Sequence, residues 1–247
     1  MDNRIFDRTT RLLGTDGLAR LQRARVIIFG VGGVGSWAAE ALARTGVGHL
    51  TLVDADTVAA TNINRQLEAT TQTIGMPKVE ALATRLREIN PGISLQLLQT
   101  RFSADNAQAF GLDAYDFVID AIDSLADKAT LLLEASALKK TGIASSMGAA
   151  LRIDPTKIKV AEFWKVTGCP LGAALRNRFR RAKTFPARKI QCVYSDERPL
   201  PNLGEIPDPD GSMNYGKAAV NGSLCHITSI FGMTLAGLAL SHITGIR

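Results

Sequence analysis

The 247-residue chain has little cysteine: Cys169, Cys192 and Cys225 are its only three, and no CxxC pair is among them. That excludes a disulfide scaffold and a four-cysteine zinc site, and makes the reducing cytoplasm the expected compartment. With nine prolines and 22 glycines it is neither collagen-like nor of low complexity. Met1 to Gly14 mixes charges of both signs without a long apolar run, so no signal or transit peptide is read there. Two gaps in charge say more. No acidic residue lies between Glu162 and Asp196, whereas Lys165, Arg176, Arg178, Arg180, Arg181, Lys183, Arg188 and Lys189 do. Without these eight the formal charge of +6 becomes −2, so the basicity is local. A one-sided run of this kind reads as a polyanion contact, against the plainer alternative of a solvated helix face. No formal charge falls between Lys217 and Arg247, and Val220 to Ile246 approaches the length of a membrane span. Its Ser223, His226, Thr228, Ser229, Thr234, Ser241 and His242 suit a buried core helix better, leaving membrane contact as the lesser reading.

Apolar runs alternate with helical patterns, the order that builds a parallel sheet covered on both faces. Strands are expected at Val26 to Phe29, His49 to Asp54, Ser94 to Thr100, Tyr115 to Asp120 and Ile143 to Met147. Helices are expected at Val34 to Thr45, Lys78 to Asn90 and Leu125 to Lys140. Beyond Asp154-Pro155 the rhythm weakens to a strand at Lys157 to Phe163, a basic helix at Leu171 to Ala182 and a Pro/Gly/Asp-rich loop at Leu200 to Gly216. The expected class is α/β: a Rossmann-like, doubly wound, mostly parallel sheet with a C-terminal extension carrying a basic insertion. Residues 1–247 form one domain, with a nucleotide-binding core at 1–150. Residues 151–247 extend the sheet and carry the basic segment 165–189 and a C-terminal helix.

Gly30-Val31-Gly32-Gly33-Val34-Gly35-Ser36 stands where a strand passes into a helix and satisfies G-x-G-x-x-G through Gly30, Gly32 and Gly35. Lacking Cβ atoms, such a turn brings its N–H groups and the helix N-terminus close to phosphate oxygens. Asp54 closes the second strand 19 residues after Gly35, where a carboxylate can accept the hydroxyls of a ribose. A nicotinamide-dependent dehydrogenase would show that much. It would have no need of Asn62-Ile63-Asn64-Arg65-Gln66, of Pro77-Lys78 opening a helix, or of Asp120-Ala121-Ile122-Asp123 closing the fourth strand. Carboxyl ends of neighbouring strands face one crevice, so Arg65, Lys78 and Asp123 can converge on a triphosphate. Two cations and a carboxylate suited to Mg²⁺ fit cleavage between α and β phosphates, where charge develops on departing pyrophosphate. Each has a plainer role available: surface ion pair, first-turn lysine, helix cap.

On these motifs the chain resembles the E1-like superfamily of adenylating enzymes, the group of the molybdopterin and thiamine sulfur-carrier activators. The likeness covers about Arg4 to Lys140. It implies ATP with Mg²⁺, a homodimer, and Arg8 reaching across it to the partner's ATP. It also implies phosphate contacts from Asn62, Arg65 and Lys78, ribose held by Asp54, and Asp123 organising metal and phosphates. Gly30, Gly32, Gly33, Gly35, Asp56 and Gln66 complete the nucleotide set, while Arg8, Arg65, Lys78 and Asp123 are the catalytic candidates. The zinc-binding CxxC pairs of the sulfur-carrier activators are absent, and the basic segment stands in their place. Among E1-like branches that combination looks most like the tRNA threonylcarbamoyladenosine dehydratases, which cyclise a threonylcarbamoyl group on an anticodon-loop adenosine through an acyl adenylate. Activation of a small ubiquitin-like sulfur carrier is the alternative. The tRNA would lie on Arg176, Arg178, Arg180, Arg181, Lys183, Arg188 and Lys189, with Phe179, Phe185 and Tyr194 as candidates to stack on loop bases. The resemblance also leaves room for a monovalent cation and for a sulfur-metabolism partner of the cysteine desulfurase type. Because ring closure is intramolecular, it demands no cysteine nucleophile.

Overall fold

The computed structural model describes residues 3–203 and 221–246. Its strands are β1 (Arg25–Phe29), β2 (His49–Val53), β3 (Ser94–Leu98), β4 (Phe117–Asp120), β5 (Gly142–Ser146), β6 (Ile158–Glu162) and β7 (Gln191–Ser195). They form one sheet in the order β3-β2-β1-β4-β5-β7-β6. Six strands are parallel and β6 runs antiparallel along the edge of β7. The helices are α1 (Asp7–Arg23), α2 (Gly35–Thr45), α3 (Lys78–Ile89), α4 (Leu125–Ala137), α5 (Pro170–Ala182) and α6 (Cys225–Thr244). The chain winds outward from β1 through β2 to β3, then returns to lay β4 on the other side of β1. That reversal opens a crevice at the carboxyl ends of β1 and β4, the position at which open α/β sheets bind ligands.

Strands covered on both faces read as continuous apolar runs because each side chain is buried whichever way it points. In β1, Val26 and Ile28 join the core beneath α2, α3 and α6, while Ile27 and Phe29 join the core beneath α4 and α5. Phe29, Phe102 and Phe110 make a three-ring cluster there, with centroids 4.9 to 5.3 Å apart. The C-terminal helix α6 is long and apolar enough to span a membrane. It packs instead against α2, β5 and α1, with Ile227, Phe231, Leu235 and Ala239 fully buried.

Several expected boundaries shift. Asp54 lies just outside β2, β3 ends at Leu98 and α4 ends at Ala137, three residues short of Lys140, because Leu138 already takes an extended conformation. Helix α1 is additional to the elements read from the sequence: its residues are largely polar, it bends at Gly14 (φ 73°), and only Gly17 and Leu21 are buried, leaving no apolar stripe to read. Of the loop expected at Leu200 to Gly216, residues beyond 203 lie outside the described ones.

Candidate functional site

The glycine turn owes its sequence to two different constraints. Gly30 follows β1 with φ 82°, and a Cβ there would stand 2.8 Å from the Ala121 carbonyl oxygen; a Cβ on Gly35 would stand 1.8 Å from that of Gly30. Both positions are closed by the protein itself. Gly32 and Gly33 are different, since added Cβ atoms would meet side chains of Gln66 at 3.4 Å and Arg65 at 3.3 Å, which is tight but tolerable. A bound group approaching the backbone gives those two a reason to be glycine. No side chain caps α2 at Val34, which leaves the helix N-terminus for an anion.

Around the turn lies a cluster of three carboxylates and one lysine. Asp54 accepts the Val31 N–H at 2.8 Å and the Asp56 N–H at 2.9 Å, so it shapes the turn. Burial pushes its carboxyl up. Lys78, 5% exposed at the start of α3, donates to Asp56 Oδ2 at 2.8 Å. Burial opposes its charge, but Asp54, Asp56 and Glu68 together hold its pKa above the ordinary lysine value, so it stays a cation. Glu68, absent from the sequence-derived set, is 2% exposed, and burial pushes it up to about 7 against the weaker pull of its own backbone, Lys78 and the Ser36 hydroxyl.

The Asn62–Gln66 motif forms a 3₁₀ turn and its exit. Asn62 spends its side-chain oxygen on the Ala59 N–H at 3.0 Å, which makes it a builder of the turn. Arg65 is half-buried, donates to the Thr61 carbonyl and Asn64 side chain at 2.9 Å, and lies in the fields of Glu68 and Asp123. Gln66 is buried beside Gly32 with its side-chain oxygen unpartnered. Asp123 is exposed beyond β4, and the cap position of α4 is Ser124, so the plainer reading of Asp123 as that cap does not hold. Arg65, Lys78 and Asp123 thus rim the crevice that the glycine turn floors.

Beneath Asp123 lies a pair the sequence-derived set also lacks. Lys128 and Asp120 are both fully buried and bridge at 2.6 Å; Lys128 also donates to the Ser146 carbonyl, and Ser145 Oγ to Asp120. The other Asp120 oxygen accepts the Ile122 N–H at 3.1 Å, which sets the turn leading to Asp123. Helical spacing carried a signal: Lys128 shares a stripe with Leu131, Leu132 and Ala135, all buried.

Arg8 and the basic segment lie away from this crevice. Phe6, two residues before Arg8, packs against Gly46 at the far end of α2, and the 11 residues of that helix span about 16 Å. One chain's Arg8, which is exposed, therefore stays outside its own glycine turn. Arg178, Arg180, Arg181, Lys183 and Lys189 are exposed, whereas Arg176 is half-buried and directed at the Phe163 carbonyl. Arg188 is a correction to the RNA-contact set: its guanidinium donates to the carbonyls of Ala135, Ser136 and Thr141, closing the C-terminal end of α4. Because β6 ends with Glu162 opposite Gln191 at the start of β7, Trp164 and the Arg180 stacked on it sit at the amino edge of the parallel strands. The glycine turn is at the carboxyl edge, and α5, 13 residues or about 20 Å long, separates the two. Among the stacking candidates Phe179 and Tyr194 are buried and Phe185 is 55% exposed. Cys169 is a buried helix cap whose sulfur accepts the Gly172 N–H, and Cys192 is buried with its thiol pushed up by desolvation.

The chain resembles known proteins along almost its whole length. It is 39% identical over 229 residues to the tRNA threonylcarbamoyladenosine dehydratase of Haemophilus influenzae, covering 90% of this chain and 86% of that one. The crystal structure of the E. coli tRNA N6-threonylcarbamoyladenosine dehydratase in complex with ATP superposes with a TM-score of 0.84 at 35% identity, over 98% of this chain and 94% of that one. An adenylyltransferase and sulfurtransferase of Culex quinquefasciatus is 38% identical over only 142 residues, 58% of this chain and 32% of its own length. The family model described as the ThiF family matches residues 6–246, and the chain belongs to that family.

Proposed function

We propose that the protein is an ATP-dependent tRNA threonylcarbamoyladenosine dehydratase of the cytoplasm, working as a homodimer. The observation that carries this reading is the extent of the likeness: dehydratases match 90% of the chain by sequence and 98% by structure, whereas the adenylyltransferase and sulfurtransferase matches it over 58%. The carboxylate of the modified nucleoside attacks the α-phosphate of ATP, pyrophosphate leaves, and the attached ureido nitrogen then closes on the activated carbonyl and expels AMP. The net loss is one water, driven by ATP. The second nucleophile is already tethered, so effective molarity takes the place of a side-chain nucleophile.

The residues suit each part of that sequence. The glycine turn and the N-terminus of α2 receive phosphate oxygens, while Lys78, kept protonated by its three carboxylates, and Arg65 stabilise charge on the departing pyrophosphate. Asp123 is a single exposed carboxylate, and among the described residues no group of three or more metal-ligating side chains is assembled. One carboxylate completed by phosphate oxygens is a usual Mg²⁺ arrangement, and the ion when bound would neutralise the phosphates. The exposure of Arg8 outside its own chain's crevice supports its acting in the partner's. The exposed cations of α5 meet tRNA phosphates. The test is exchange of labelled pyrophosphate into ATP with bulk tRNA, before and after RNase treatment. Exchange that needs intact tRNA is expected; exchange that survives the RNase, or appears only with a carrier protein, overturns the reading.

A further inference from the structure

The surface at the amino edge of the sheet holds two large aromatic side chains that no part of the adenylation chemistry uses. Trp164 and Phe185 are 37% and 55% exposed, with centroids 5.9 Å apart, and the Arg180 guanidinium lies 5.6 Å from the Trp164 ring centre. Exposed aromatics grouped on a surface mark interaction sites, because left to water they favour aggregation. These two are also held rigidly. Trp164 meets the edge of buried Phe163 at 5.1 Å, and Phe163 in turn meets buried Phe179 at 5.7 Å, so the exposed ring is the outer end of a stack rooted in the core. The carboxylate of Glu162 accepts the Trp164 N–H at 3.0 Å and fixes the backbone beneath the ring. On the other side, Lys183 takes the left-handed conformation (φ 51°) and Thr184 N–H bonds the Phe179 carbonyl at 3.1 Å, which turns the chain back so that Phe185 meets Trp164. Arg188 then ties the returning segment to the end of α4.

We propose that Trp164, Phe185 and Arg180 form a stacking platform for unpaired RNA nucleotides. Two pre-set ring faces give bases a place to stack without sequence preference, and base–aromatic stacking is the usual source of affinity for single strands. Charge decides the class of partner. Lys165, Arg178, Arg181, Lys183 and Lys189, all within 25 residues of Trp164 in the chain, are exposed, while Glu162, two residues before it, is engaged with backbone. That pattern fits a phosphate backbone crossing the rings. An anionic membrane is the rival partner; against it, the exposed apolar area here is two rings locked by packing rather than a flexible aliphatic face. Since the platform stands at the opposite edge from the glycine turn, it holds nucleotides away from the reacting one and acts as a docking contact. This deepens the tRNA reading and rests on it for the identity of the RNA, though not for the stacking itself.

The experiment uses the full-length protein and fluorescein-labelled oligoadenylate, with an RNA duplex of equal length and phosphatidylserine vesicles as separate arms. The Trp164→Ala, Phe185→Ala double variant is expected to bind the single strand about 10-fold or more weakly, the scale of one or two lost stacking contacts, with its salt dependence unchanged because the cations remain. Duplex affinity should hold, and Trp164→Phe should restore much of the single-strand binding. With tRNA as substrate, the loss in the double variant should fall on KM for tRNA rather than on kcat. Equal single-strand affinity in wild type and double variant, equal losses for single strand and duplex, or preference for vesicles over RNA each overturns the platform. A wild-type enzyme that stacks oligoadenylate yet leaves tRNA unmodified overturns the tRNA reading and leaves the platform standing.

Discussion

Replacing Lys128 with methionine probes the support under the crevice more directly than any change at its rim. The side chain is fully buried, and its ammonium bonds Asp120 at 2.6 Å and the Ser146 carbonyl at 2.9 Å. Methionine fills similar volume but leaves the Asp120 carboxylate buried with only Ser145 Oγ and the Ile122 N–H for company. Removing one partner of a buried ion pair costs about 3–5 kcal/mol, a large share of the roughly 5–15 kcal/mol that separates folded from unfolded domains. For a chain of this length about 2–4 °C is lost per kcal/mol, so the melting temperature should fall by about 10 °C. The Asp120→Asn, Lys128→Met double variant should recover part of that loss, because no uncompensated charge remains. Urea unfolding followed by far-UV circular dichroism gives the four corners of the cycle, and a coupling of about 1–3 kcal/mol is expected. Pyrophosphate exchange per folded molecule should also fall in Lys128→Met, since Asp120 sets the turn that carries Asp123. A Lys128→Met protein within about 1 kcal/mol of wild type, or strict additivity in the cycle, would refute the reasoning.

Arg65→Ala and Lys78→Ala should each lower pyrophosphate exchange by about 100-fold while ATP affinity falls less, because both act on charge that develops in the transition state; equal losses in binding and rate would count against that role. Glu68 carries a pH signature: burial raises its carboxyl from 4.5 to about 7, so its contribution of about 3 kcal/mol is complete below pH 4.5 and lost as pH rises toward 7. Urea titrations across that range should show wild-type stability declining with pH relative to Glu68→Gln, and parallel curves would contradict it. Mixing inactive Arg8→Ala with inactive Lys78→Ala protein should restore part of the exchange activity if one chain's arginine completes the other's site; no recovery after demonstrated subunit exchange would place Arg8 outside the reaction. Changing Arg178, Arg180, Arg181 and Lys183 together to glutamine should flatten the log–log salt dependence of tRNA binding by about three units while sparing ATP binding, and an unchanged slope would make α5 a solvated face.

Much of the nucleotide crevice is a local property of the chain. The glycine turn, Asp54, Arg65, Lys78 and Asp123 each sit within a few residues of a strand or helix end, and strand ends can be read from apolar runs because a strand buried on both faces must be apolar throughout. Local chemistry also explains the positive φ of Gly30 and the closeness of Gly35 to the Gly30 carbonyl, whereas the approach of Ala121 to Gly30 comes from the pairing of β4 with β1. What depends on distant packing was not legible. Glu68 is an ordinary charged residue in sequence, and helical spacing marks Lys128 as buried without naming its partner; only the elements folded over them make one a raised carboxyl and pair the other with Asp120. Arg188 reads as one more cation in a basic run until α4 ends against it and takes its hydrogen bonds. The direction of β6 decides most: a strand's sequence does not state whether its neighbour runs with it or against it, because its side chains alternate between the faces either way. Since β6 is antiparallel, Trp164 and the end of α5 fall at the amino edge, so tertiary structure alone separates the basic surface from the crevice.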